Sequence, residues 1–236
     1  PLLQVAIPVM DQVFLSVGLS GCGVVRTDAR GTILERRVRS GDGAEFARAG
    51  LFDGVRWSEA DEGTNGIGTC LVEDRPVVIH RDQHFASRNI GISCMDAPVH
   101  DPEGRLIAAL AASCSRGDHD RAMADLVAAL VRDAARRIER DWFCRHYSGA
   151  RIVFTGDSTA GTELLAIDRD QLVVGASRAA RLRFALGAAS LARPRAVGEV
   201  MGEGGAPSFE QADRAVLRQA MARAQGYACY TLSFDY

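Results

Sequence analysis

Hydrophobic and polar positions in the first part of the chain change between the spacing of helices and the spacing of strands. Residues 2–19 carry apolar side chains at intervals of three and four, which predicts an amphipathic helix that Pro8 caps or kinks. Residues 22–26 and 32–38 are apolar runs on either side of a polar turn, so they predict a β-hairpin. A short helix is expected within residues 41–52.

A second hairpin and a long helix are predicted further along. Residues 92–100 and 105–114 are apolar runs that flank a turn containing proline and glycine, and residues 76–80 form a brief β-branched run before them. From Asp118, which is suited to an N-cap, a helix is expected to extend to Tyr147. Its apolar stripe fits either core packing or a dimer seam. The stripe consists of Met123, Val127, Leu130, Ala134 and Ile138.

The pattern restarts near Gly149, which predicts a second unit. Three short apolar runs predict strands and an alanine-rich stretch predicts a helix. The strands are expected at residues 151–155, 163–168 and 172–176, and the helix at 177–186. Ser208 opens a capping box for a helix that Gly226 ends, and residues 227–236 return to strand spacing. Residues 188–206, rich in Gly and Pro, predict irregular structure.

Composition and charge narrow the class of protein. The 236 residues are 47% hydrophobic and 25% charged, with a net charge of −2 and a pI near 6.3, which argues against a large nucleic-acid surface. No apolar run is expected to span a membrane, which takes roughly 20 residues, and no signal peptide is evident. We therefore expect a cytoplasmic protein with no membrane partner. Because the sequence lacks an initiator Met, we expect a fragment of a longer chain.

The segment at residues 57–70 is polar and rich in glycine, and it lies between apolar runs. Such a segment suits a loop that wraps a small ligand, since glycines permit close backbone approach and Thr64, Asn65 and Thr69 offer hydrogen-bonding groups. Its spacing matches neither a Walker phosphate loop nor a dinucleotide fingerprint. A surface cluster of turns explains the same glycines.

One partly apolar pocket forms if this loop and residues 80–89 both face the second hairpin. The side chains that would line it are Trp57, Thr64, Asn65, His84, Phe85 and Cys94. Ordinary core packing is the alternative for Trp57 and Phe85, and a surface position is the alternative for His84.

The six cysteines are scattered, without a CxxC pair that would indicate a zinc ribbon. Soft ligands from separate strands could still converge on a metal. The candidates are Cys70, His84, Cys94 and Cys114. Cys94 is also a candidate redox or catalytic thiol, which would require a depressed pKa. No glycine-flanked serine or separated carboxylate pair indicates a hydrolase.

Several motifs occur in a characteristic order. They are Trp57-Ser58-Glu59, residues 63–69, Pro76-Val77, His84-Phe85, Cys94, Ala97-Pro98-Val99 and Asp101-Pro102-Glu103-Gly104. With them, residues 1–147 resemble the GAF sensor domain of the acetoin-catabolism regulators, bacterial sigma-54-dependent activators to which the glycerol and dihydroxyacetone regulators are similar. Residues 148–236 resemble the PAS-like domain that follows it there, although Asn is usual where Ser177 stands.

The resemblance implies an α+β fold: a GAF domain with a central antiparallel sheet flanked by helices, over 1–147 and including the connecting helix 118–147, then a smaller PAS-like α/β domain over 148–236. It implies a non-enzymatic sensor, without a cofactor, that binds acetoin, a diol or an alcohol and signals through a homodimer. The implied ligand-binding residues are Trp57, Thr64, Asn65, Thr69, Cys70, His84, Phe85 and Cys94. Cys70 stands where a small apolar residue is common in the family.

In the complete regulator, DNA and sigma-54 RNA polymerase would be contacted through domains that this chain lacks. Two other functions remain open. A GAF fold with reactive cysteines also serves free methionine-sulfoxide reductases, so a thiol enzyme or a redox or metal sensor is one alternative. A protein-interaction module without a small-molecule ligand is the other.

Overall fold

The computed structural model describes residues 2–116, 119–155, 163–201 and 229–232. The chain divides into two compact units. The first unit comprises Pro1–His100 and Leu106–Ile138, and the second comprises Asp101–Arg105 and Glu139–Tyr236.

The first unit is built on a five-stranded antiparallel sheet with the order β2-β1-β5-β4-β3. The strands are β1 (Cys22–Thr27), β2 (Ile33–Arg37), β3 (Val77–His80), β4 (Ser93–His100) and β5 (Leu106–Cys114). Both predicted hairpins are present as β1–β2 and β4–β5. Every residue of β1 and β4 is buried, so both faces of the central strands are covered.

Helix α1 (Leu2–Val17) packs on β1 and contains Pro8. By length and composition alone, Leu2–Ser20 is apolar enough to cross a membrane, so the expectation that the chain has no such run is wrong. The apolar residues of one helix face are instead buried in the first unit, as in the core helix of a globular domain. They are Val5, Ala6, Val9, Met10, Val13 and Val17.

Helix α5 (Arg121–His146) is the predicted long helix. Its expected N-cap, Asp118, lies outside the described residues. Asp120 accepts a hydrogen bond from the N–H of Met123 through Oδ1 at 2.8 Å and so caps the first turn. Val127, Ala134 and Ile138 of the predicted stripe are buried, but Met123 and Leu130 are each 39% exposed.

The expectation of a loop over residues 57–70 is wrong, because the segment folds into two short helices. These are α3 (Glu59–Glu62) and α4 (Gly66–Glu73); α2 (Gly43–Arg48) precedes them as predicted. Ser58 and Asn65 are the N-caps: each side-chain oxygen accepts an N–H three residues later, at 3.2 and 2.7 Å. Residues 81–89 form two 3₁₀ turns, Arg81–Gln83 and Ser87–Asn89.

The second unit holds a four-stranded antiparallel sheet with the order β8-β7-β6-β9. Its strands are β6 (Arg151–Thr155), β7 (Leu164–Ile167), β8 (Val173–Ala176) and β9 (Cys229–Leu232), and its helices are α6 (Arg178–Arg183), α7 (Ala188–Ala192) and α8 (Val197–Met201). Ser177 caps α6 by accepting the N–H of Ala180 at 3.3 Å. The prediction of irregular structure over residues 188–206 is wrong for residues 188–201, because α7 and α8 lie there.

The capping box at Ser208 and the helix end at Gly226 lie outside the described residues. A small antiparallel sheet is present in the second unit, and short helices follow its strand β8 in the chain. The PAS-like assignment stays a prediction.

Candidate functional site

The start of helix α4 packs directly on strand β4, and glycine makes this approach possible. A Cβ on Gly66 would lie 2.1 Å from Asp96 Oδ2 and 2.5 Å from Cys94 Cβ. A Cβ on Gly68 would lie 2.4 Å from the backbone N of Glu59. Gly66 is therefore required where α4 packs on the sheet, and Gly68 is required where α4 packs on the start of α3 and the segment before it.

The polar residues around Asn65 bond mainly to their own segment. Asn65 is completely buried, caps α4, and donates from Nδ2 to the carbonyl of Gly63 at 2.9 Å. Thr69 donates from Oγ1 to Glu59 Oε1 at 2.6 Å and accepts the N–H of Asn65 at 3.3 Å. These contacts account for the groups through local structure, and a role in ligand contact stays a prediction for Asn65 and Thr69.

An apolar cluster lies beside the start of α4. Trp57 is 3% exposed in it, and its Nε1 donates to the carbonyl of Gly50 at 3.0 Å. The buried members are Val25, Ile33, Phe46, Leu51, Trp57, Ile67, Ile92, Cys94 and Ala111. The cluster provides the apolar surroundings that a small-molecule pocket needs.

Cys70 and Cys94 are both buried beside this region, Cys70 against Val77, Ile79 and Ala109. Burial raises the pKa of both thiols. A reactive thiol requires the opposite shift.

His84 and Phe85 dock on the turn before α4 but differ in exposure. The N–H of Phe85 donates to the carbonyl of Thr64 at 3.0 Å, and the ring lies against Gly63, where a Cβ would be 2.4 Å from it. Phe85 is 79% exposed, whereas His84 is 4% exposed. Nδ1 of His84 lies 2.9 Å from the carbonyl oxygen of Arg81, while its buried Nε2 has no partner among the described residues.

Asn89 and Asp96 lie in stretches that the sequence marks as polar candidates but were not among the predicted ligand-binding residues, and both are buried polar groups. They are 1% and 2% exposed, and neither the amide of Asn89 nor the carboxyl of Asp96 has a hydrogen-bond partner in the described part of the chain. Burial raises the pKa of Asp96 well above its usual 3.8, so the carboxyl is held toward its neutral form. The position of a carboxylic acid within the apolar run 92–100 could have singled out Asp96, whereas nothing distinguishes Asn89 from the other polar residues of 80–89.

Backbone contacts join the segments that carry these three side chains. Gly66 sits against Asp96, and the Thr64–Phe85 hydrogen bond places His84 next to the same turn. The chain then returns through Asn89, whose carbonyl accepts the N–H of Ile92 at 3.0 Å. An acid, an amide and an imidazole thus lie on three connected segments, and groups of these kinds are able to bind hydroxyl and carbonyl groups.

The structure does not bring together the three cysteines and the histidine predicted as metal ligands, which are Cys70, Cys94, Cys114 and His84. Among the described residues, one group of potential ligands does converge, namely Cys22, Cys114 and His119. Of the four candidates, it includes Cys114 alone.

Comparisons with known proteins agree with the antiparallel sheet of the first unit. The model of the GAF domain family matches residues 1–138. A crystal structure of the E. coli DhaR(N)-DhaL complex has a similar fold, with a TM-score of 0.51 and 18% identity, over 84% of this chain and 68% of that chain.

Two curated relatives are similar in sequence. The acetoin catabolism regulatory protein of Cupriavidus necator is 30% identical over 171 residues, which are 69% of this chain and 25% of the relative. The propane 2-monooxygenase operon transcriptional activator MimR of Mycolicibacterium smegmatis is 34% identical over 113 residues, 45% of this chain and 18% of the relative. The chain thus spans a quarter or less of the length of these relatives. It belongs to the GAF domain family, and its GAF domain matches the sensor domain of the acetoin-catabolism regulators and related transcriptional activators.

Proposed function

We propose that this chain is the effector-sensing part of a bacterial transcriptional activator, acting in the cytoplasm, and that its effector is a small neutral metabolite of the acetoin, diol or alcohol class. The observation that carries the proposal is the fully buried carboxyl of Asp96, whose oxygens have no partner in the described part of the chain. A buried polar group without a partner is costly, so its persistence favours a partner that arrives from outside.

The chemistry of the site favours an uncharged, oxygenated ligand. A neutral Asp96 donates an O–H to a ligand carbonyl or hydroxyl, and its raised pKa makes it a poor partner for a cation. The amide of Asn89 both donates and accepts hydrogen bonds, and Nε2 of His84 is a third hydrogen-bonding group. Methyl groups of the ligand would contact the adjoining apolar cluster. The names of the relatives, which refer to acetoin catabolism and to a propane 2-monooxygenase operon, support this class.

Signal output is proposed to occur through α5 in a homodimer. Met123, Leu126 and Leu130 follow one another at spacings of three and four residues and are 39%, 59% and 39% exposed. This spacing places them on one helix face, as in a helix–helix seam. DNA and sigma-54 RNA polymerase would be contacted through further domains of a longer protein. The second unit would serve as the PAS-like domain between the GAF domain and those domains.

Thermal melting and calorimetry with acetoin, 2,3-butanediol and 2-propanol, and with acetate as a charged comparison, test the proposal. A ligand at 100 times its Kd should stabilise the chain by about 2.7 kcal/mol. Asp96→Ala should fold and lose this effect, whereas Asp53→Ala, at a carboxylate that is 60% exposed, should keep it. If none of the neutral compounds raises the melting temperature of the folded chain, the small-molecule function is wrong.

That outcome would favour the alternative of a protein partner, the kind of assembly that the DhaR(N)-DhaL complex represents for its own chain. A thiol enzyme is the other alternative. The raised pKa of Cys94 opposes it, because that chemistry needs a thiolate. Thiol-dependent turnover of free methionine sulfoxide that Cys94→Ser abolishes would establish the enzyme instead.

A further inference from the structure

We propose that Cys22, Cys114 and His119 bind one soft divalent metal ion of the Zn²⁺ class, at a site separate from the effector pocket. Cys22 opens β1, Cys114 closes β5, and His119 lies just before α5. The site therefore joins three segments that are far apart in the sequence.

The geometry of the three side chains suits one metal ion. Their ligand atoms all lie within 4.8 Å of one another, and Cys22 Sγ is 3.6 Å from His119 Nε2. Cys22 and Cys114 are direct cross-strand partners in the β1–β5 ladder, so their side chains project from the same face. Tetrahedral zinc, with bonds of about 2.3 Å to sulfur and 2.0 Å to nitrogen, holds such atoms about 3.5 to 3.8 Å apart. Only small side-chain movements are needed.

The charge balance also favours a divalent metal in this position. Cys22, Cys114 and His119 are 2%, 1% and 3% exposed. Two thiolates and a divalent cation have no net charge, which reduces the cost of burying each of them. Two thiolates and an imidazole select zinc-like ions over calcium or magnesium, which prefer oxygen ligands.

Metal binding here must displace protons. The hydrogen bond with Cys114, and next burial, raise the pKa of the Cys22 thiol, and the nearby guanidinium of Arg116 opposes this only in part. Because Zn²⁺ binds the thiolate form of cysteine, we expect binding to two cysteines to release about two protons. Arg81 adds a cation close by, since its Nη2 donates to the backbone carbonyl of His119 at 3.2 Å.

Occupancy would fix the start of the helix proposed to carry the signal. Cys22 follows the 3₁₀ turn Gly18–Ser20 at the end of α1, and α5 begins at Arg121, two residues after His119. A bound metal would thus connect the end of α1 to the beginning of α5. Three protein ligands leave a fourth coordination position for water or a small ligand.

The test is metal titration of the reduced, chelator-treated chain with Zn²⁺ and Co²⁺. We expect one ion per chain, tetrahedral Co²⁺ absorption with thiolate charge-transfer bands, and release of about two protons at neutral pH. Cys22→Ser, Cys114→Ser and His119→Gln should each weaken Zn²⁺ binding by more than about 100-fold, the upper range for residues that only support a ligand. Cys144→Ser, which changes a buried thiol of the second unit, is the matched control and should bind Zn²⁺ like the wild type.

X-ray absorption of the Zn²⁺-loaded wild type needs no variant and remains decisive if the substitutions prevent folding. It should show two sulfur ligands at about 2.3 Å and nitrogen at about 2.0 Å. The proposal is overturned if the metal has only oxygen and nitrogen ligands, or if Zn²⁺ affinity is unchanged in all three variants. It is also overturned if Cys22 and Cys114 form a disulfide under reducing conditions instead of binding the metal.

Discussion

Asp96 places a carboxyl group on β4, where both strand faces are buried, and the start of α4 covers it without supplying a hydrogen bond. In the folded state the neutral acid is therefore favoured. The pKa of Asp96 is raised above its unfolded value, so the neutral acid favours the folded state. This contribution to the free energy of unfolding is fully present below about pH 3.8 and is lost as the pH rises through the folded pKa.

Asp96→Asn removes this pH dependence while it keeps the shape of the side chain. The free energy of unfolding of the variant, minus that of the wild type, should be constant below pH 3.8 and rise by about 1.4 kcal/mol per pH unit above it, up to the folded pKa. Urea denaturation from pH 4 to pH 8 measures the difference. Asp53→Asn, which changes an exposed carboxyl in the same way, is the control variant for the substitution itself. A flat difference for Asp96→Asn would mean that the folded protein ionises this carboxyl normally.

Gly66 carries the second prediction at this scale. In Gly66→Ala the new methyl group would meet Asp96 Oδ2 and the Cβ of Cys94, and the Cβ cannot rotate away. We expect a loss of about 1 to 3 kcal/mol in the free energy of unfolding, the usual range for overpacking, together with weaker effector binding. Gly41→Ala, where a Cβ has no neighbour within 4 Å, should be close to neutral. Equal effects of the two changes in urea denaturation would refute the packing role of Gly66.

At the scale of elements, the hairpins β1–β2 and β4–β5 could be predicted because apolar runs flank turns that carry polar residues, proline or glycine. The segment at residues 57–70 could not be placed by the same means. Helices as short as α3 and α4 show too little periodicity to distinguish them from a polar loop, and the information lay in their caps, Ser58 and Asn65. The candidate site depends on this segment, and the burial of Asn89 and Asp96 results from tertiary packing that no local pattern encodes.

The cap at Asn65 gives a prediction for helix α4. Asn65→Ala removes the acceptor for the N–H of Gly68 and the donor to the carbonyl of Gly63, both in a fully buried position. We expect a loss of about 1 to 2 kcal/mol in the free energy of unfolding. Ser58→Ala removes the exposed cap of α3 and should cost less. Urea denaturation of both variants measures the contrast, and an equal or larger loss at Ser58 would contradict this account of the segment.

At the scale of the whole molecule, the GAF domain could be identified from motif order because its residues fulfil packing roles that other residues cannot. Gly66 permits contact between α4 and β4, and Asn65 closes the turn before it. The convergence of Cys22, Cys114 and His119 could not be predicted in this way, since it requires the register of β1 and β5 and the position of the segment before α5. The spacing of these three residues along the sequence does not indicate that they converge.

Association of two copies is the last prediction, and it concerns the exposed apolar face of α5. If Met123, Leu126 and Leu130 form a helix–helix seam, then Leu126→Asp buries two charges per symmetric dimer and should raise the dimer Kd by at least about 100-fold, or about 2.7 kcal/mol. Sedimentation over a range of concentrations measures this. Leu182→Asp, on α6 at a side chain that is 70% exposed, is the matched control and should leave the dimer intact. A wild-type chain that stays monomeric at high concentration would show that α5 carries no seam, and the proposed output would then have to pass along a single chain.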